Sequence, residues 1–91
     1  MNFKNAHEID QSLRGLVARE RKITHEILVH INVMEFCKGY ADLGFSSMYA
    51  YLTQSLGYAE DAAYRRLSAA RLMKEVPEVS EKIQSGDLNL T

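Results

Sequence analysis

The sequence predicts an all-α fold, with one long N-terminal helix followed by three shorter helices that include a helix-turn-helix-like pair. Two observations carry this expectation. Ile9, Leu13, Leu16, Ile23, Ile27, Ile31 and Met34 fall on one stripe at the period of an α-helix, with Val17 and Leu28 along its edge. No segment alternates as a strand does, and the single proline and five glycines sit between apolar stretches.

The first helix is expected over about 6–38, or 12–38 if Gly15 interrupts its early turns. Asn5 and Glu8 have the spacing of a capping box at its start, and Gly39 is expected to end it. In its later half Val29, Val33 and Phe36 make a second apolar stripe, which predicts burial on two faces. The earlier half has one stripe only, opposite Arg14, Arg21, Lys22 and His25, so it is expected to project and to pair with another helix. Leu13, Leu16, Ile23 and Ile27 are the candidate dimerisation residues.

Gly39 to Phe45 reads as a connector anchored by Tyr40, Leu43 and Phe45. Ser46 fits as the N-cap of a short helix to about Leu56, with Met48, Tyr49, Leu52 and Leu56 inward and Gly57 as the stop. A third helix starts near Ala59, carries Glu60 and Asp61 in its first turn, and runs to about Glu75 with Ala63, Leu67, Ala70 and Met73 inward. Pro77 fits the first turn of a fourth helix over about 77–85, with Val79 and Ile83 inward and Gly86 as its stop. Thr91 looks like the cap of a further helix. The whole reads as one helical domain over 1–91.

Composition excludes several function classes. Eleven Lys and Arg against twelve Asp and Glu give a net charge of −1, so nucleic acid cannot be gripped by bulk charge and would need a local basic patch. The one cysteine, Cys37, makes no internal disulfide, and there is no secretion signal, so a cytoplasmic location is expected. Apolar runs fall far short of the roughly 20 residues needed to span a bilayer, so no membrane partner is expected.

Catalytic and metal chemistry find no seat. His25 and Glu26 begin a metalloprotease-like motif, but the required second histidine position holds Val29, and His30 lies one residue too far round the helix to share an ion. His7 heads a similar near-match ending in Gln11. Cys37 sits near the end of an apolar helix and reads as a small core side chain. No glycine-rich phosphate loop or nucleophile elbow is present. No enzyme activity, cofactor, metal or small-molecule substrate is expected.

The pair of helices from 46 to 75, joined through Leu56, Gly57 and Tyr58, matches the helix-turn-helix plan. Tyr64, Arg65, Ser68 and Arg71 fall outside the core stripe of the second helix and could meet phosphates or base edges. Arg66 lies nearer the stripe, where its stem packs and its head reaches out. With Tyr58, these are the candidate DNA contacts. Carboxylates at Glu60 and Asp61 stand where groove-reading residues usually lie and would repel phosphate.

The stretches Tyr40-Ala41-Asp42-Leu43-Gly44-Phe45-Ser46-Ser47, Leu56 through Arg66, Val76-Pro77-Glu78-Val79 and Ser85-Gly86-Asp87-Leu88 resemble the helical N-terminal region of bacterial HNH-endonuclease-type proteins, over about residues 13 to 91. The ending with its glycine turn and Pro77 also resembles the helix-turn-helix of ParB-type partition proteins, with a second helix about one turn longer. An HNH centre needs a histidine-bearing ββα-metal unit, whereas all three histidines here lie on the first helix. The resemblance therefore implies a helical DNA-binding module without the nuclease. Two function classes follow: a helix-turn-helix module that contacts DNA and forms a homodimer through its first helix, or an all-helical interaction module that binds protein alone.

Overall fold

The computed structural model describes residues 5–76, and within them the chain is helical with no strand. Four helices follow in order: α1 (Ala6–Cys37), α2 (Gly39–Asp42), α3 (Met48–Ala50), which widens into a π-turn (Tyr51–Ser55), and α4 (Glu60–Glu75). The helix expected over 77–85, its inward residues Val79 and Ile83, and the cap at Thr91 lie outside the described residues.

Asn5 caps α1 as its spacing predicts, its side chain accepting from the Glu8 N–H at 3.0 Å. The helix then runs unbroken through Gly15, whose missing side chain costs about 1 kcal/mol of propensity but leaves every backbone bond available. Its 32 residues set the 51 Å long axis of the described residues. Only Leu28 and Ile31 on α1 are fully buried, so the inward face centres on Leu28 rather than leaving it at an edge. Ile9, Leu13, Leu16, Val17 and Ile23 stay exposed on the projecting front half.

The second stripe does not go inside. Val29 and Val33 are exposed and Phe36 is 80 % exposed, because α3 and α4 cover only the Leu28 side of the helix. Cys37 likewise lies at the surface, not in the core.

α1 ends at Cys37, two residues before the glycine expected to stop it. Lys38 takes the left-handed conformation, with φ 55°, and its N–H closes the last turn on the Met34 and Glu35 carbonyls. Gly39 instead begins α2, and a different constraint selects it. A Cβ there would sit 2.6 Å from the Met34 sulfur, so this side chain packs over the bare backbone. In the connector Tyr40 packs on the core and Phe45 meets Tyr51 edge to face at 5.5 Å. Leu43 is exposed, contrary to expectation, because it lies past the end of α2 on its outer side.

The N-cap of α3 is Ser47, not Ser46. Its hydroxyl accepts from the Ala50 N–H at 3.0 Å. After one turn the helix widens. The Thr53 hydroxyl donates back to the Tyr49 and Ala50 carbonyls, and Leu56 N–H reaches Tyr51 O, five residues earlier. The extra residue turns the chain beyond it by about 100°. Leu56 therefore ends at the surface beside Tyr51, and Tyr49 also faces outward, while Met48 and Leu52 enter the core as expected. Gly57, with φ 78°, makes the left-handed stop that its position predicts.

α4 starts at Glu60 with Glu60 and Asp61 against its positive end. Ala63, Leu67, Ala70 and Met73 are all buried. They close a core with Leu28, Ile31, Met48 and Leu52, so the back half of α1 and the helix-turn-helix-like pair form a single packed unit. The alanines at 63 and 70 keep the inward face of α4 flat enough for neighbouring backbones to approach.

Candidate DNA-contacting face and association surfaces

Gly57 and the extended backbone of Ala59 set the angle at which α4 leaves α3. The buried row Ala63, Leu67, Ala70 and Met73 fixes its rotation. As a result Tyr64, Arg65, Ser68 and Arg71 all face outward, as their spacing predicts.

Each arginine already has a contact. Arg65 Nη1 donates to Asp61 Oδ2 at 3.3 Å, one turn back on the same helix, with both groups largely in water. Arg66 does what its half-inward position implies: its guanidinium lies 4.7 Å over the half-buried Tyr58 ring while Nη1 donates to the Ala62 carbonyl. Tyr58 thus supports Arg66, and these two are half-buried while the other candidates are exposed. Arg71 reaches across to α1, donating through Nε and Nη2 to both Glu35 oxygens at 3.0 and 2.7 Å.

Glu35 and Asn32 are residues the sequence reading missed. Asn32 donates its side-chain amide to the Ala70 carbonyl at 2.9 Å. Lys74 lies 5.7 Å over the Phe36 ring. These contacts advance along α1 and α4 together, from Asn32 with Ala70, through Glu35 with Arg71, to Phe36 with Lys74. A signal was present, since Glu35 stands one helical turn after the core residue Ile31 and Arg71 directly follows Ala70.

The Arg71 hydrogen bonds hold the Glu35 carboxyl below the usual range against the opposing effect of burial, and Arg71 is raised in turn. The resulting stabilisation is present above the ordinary glutamate pKa and disappears as pH falls through the lowered value. Thermal melts of the native chain and Glu35→Gln should therefore differ at neutral pH and converge in acid.

On the other side of α1 lies an apolar groove of about 730 Å³, floored by Ile27, His30 and Met34 and walled by Tyr51, Leu56 and Tyr58. His30 turns its Nδ1–H onto the Glu26 carbonyl at 2.7 Å. Of the candidate dimerisation residues, Leu13, Leu16 and Ile23 are exposed, and Ile27 is shared between groove and core.

Among the described residues no group of three or more His, Cys, Asp and Glu side chains gathers as metal ligands. No helix among them is long and apolar enough to cross a membrane. Comparison with family models, curated proteins and solved structures returns no match to this chain.

Proposed function

We propose that the chain is a non-catalytic helix-turn-helix-type DNA-binding module that self-associates through α1. The observation that carries this reading is the outer face of α4, where Tyr64, Arg65, Ser68 and Arg71 stand together in solvent behind a glycine turn. The likeness of residues 13 to 91 to the helical region of HNH-endonuclease-type proteins supports it. The Arg65–Asp61 pair does not oppose it, because an exposed pair of this kind is worth about 0–1 kcal/mol and a phosphate can replace the carboxylate.

The test is a mobility shift on duplex DNA across a salt series. Binding is expected to weaken steeply with salt, and Arg65→Ala with Arg71→Ala should weaken it on any sequence and flatten the salt slope by about two per chain. No shift at low ionic strength, with the dimer intact, would remove the DNA-binding half of the proposal.

A second reading, an all-helical interaction module without nucleic acid, is favoured by the Arg71–Glu35 fork. That contact occupies the Nε–Nη2 edge of the guanidinium with both oxygens of one carboxylate. The near-zero net charge and the acidic start of α4 also suit it. Intact pairing with no DNA binding is the outcome it requires.

A further inference from the structure

We propose that two copies of the chain pair antiparallel through α1, the front half of each helix lying in the groove of the other. This rests on the self-association in the proposed function and gives it a geometry. From Ile9 one stripe of α1 alternates by four and three residues through Leu13, Leu16, Glu20, Ile23 and Ile27. The same spacing continues to His30, Met34 and Cys37, which line the groove. The exposed stripe of the front half and the floor of the groove are thus one continuous seam. A helix laid along that stripe runs on into the groove, against the wall made by Tyr51, Leu56 and Tyr58.

Glu20 sets the direction. In a parallel, in-register pair it would face its own copy inside an apolar seam, placing like charges together in a desolvated position. An antiparallel pair separates them. With Glu20 opposite Ile23 of the second copy, Arg19 of each chain comes alongside Glu26 of the other, giving the same ion pair twice by symmetry. Neither Arg19 nor Glu26 makes an ion pair among the described residues. The same alignment sets Leu16 opposite Ile27, Leu13 opposite His30 and Ala6 opposite Cys37, so each exposed leucine of the front half meets the groove or its approach.

The chain's own cysteine tests this arrangement. Residues 6 and 37 lie at opposite ends of α1, roughly 46 Å apart at the helical rise, so no disulfide can join them within one chain. Under mild oxidation Ala6→Cys should give a covalent dimer in which peptide mapping joins the introduced thiol to Cys37 of the other chain. The native chain should not cross-link. Exchanging charges gives an independent check: Arg19→Glu should weaken the dimer several-fold in sedimentation, and adding Glu26→Arg should restore it. Cross-links between like positions, or no recovery in the double variant, would overturn the antiparallel register while leaving pairing through α1 in place. A native chain that sediments as a monomer at high concentration would overturn both.

Discussion

Leu52→Ala is expected to cost about 2–5 kcal/mol of folding stability, while Leu56→Ala costs less than about 1 kcal/mol. Leu52 is 0 % exposed on the π-turn, enclosed by the α1 and α4 side chains, and its truncation leaves a cavity where three elements meet. A chain of this size has about 5–14 kcal/mol of stability in total, so the loss is a large share of the whole. Leu56 stands four residues on, where a regular helix would place it beneath Leu52, yet it is 52 % exposed because the π-turn swings it toward the groove. Urea unfolding of both variants, at a concentration that keeps the chain monomeric, measures the contrast. Equal costs would mean that the helix continues as a regular α-helix past Ser55.

Leu16→Glu is expected to raise the dimer dissociation constant by about 10³-fold and leave the monomer's folding nearly unchanged. Leu16 is 53 % exposed and touches no part of the core, and glutamate is as good a helix former as leucine to within a few tenths of a kcal/mol. Within the proposed pair, each copy forgoes about 1.5–3 kcal/mol of leucine burial and places a new carboxylate in a seam that already holds Glu20. Two copies together lose about 4 kcal/mol or more, which is the stated thousandfold. Sedimentation equilibrium and a thermal melt separate the two effects. An unchanged dissociation constant would remove α1 as the pairing surface.

The elements were legible where local chemistry decides them. Asn5, Gly57 and the row from Ala63 to Met73 took the roles their spacing gives, because caps, left-handed stops and one-sided apolar faces are set within a few residues. The errors have a different source. Val33 and Phe36 look buried by periodicity, but a stripe states only that a face is apolar and cannot supply a neighbour to cover it. Leu56 faces out because the helix widens at Tyr51–Ser55, a change of period that a stripe of apolar residues does not encode. At α4 the outward direction of Tyr64, Arg65, Ser68 and Arg71 could be read from the core stripe alone. Their partners could not, since the Glu35–Arg71 contact joins residues 36 positions apart and needs the packing of α1 on α4.

The hydrogen bond from Asn32 has a separate consequence for α4. Its amide holds a main-chain carbonyl, which every residue at position 70 would present, and it asks nothing of the side chains on the far side of that helix. Together with the buried row Ala63, Leu67, Ala70 and Met73 and the Arg71–Glu35 fork, it anchors α4 through groups other than those at 64, 65 and 68. The outward positions 64, 65 and 68 are therefore interchangeable parts: the scaffold would carry a different set of side chains to the same place, so what the helix touches can diverge without cost to how it is held.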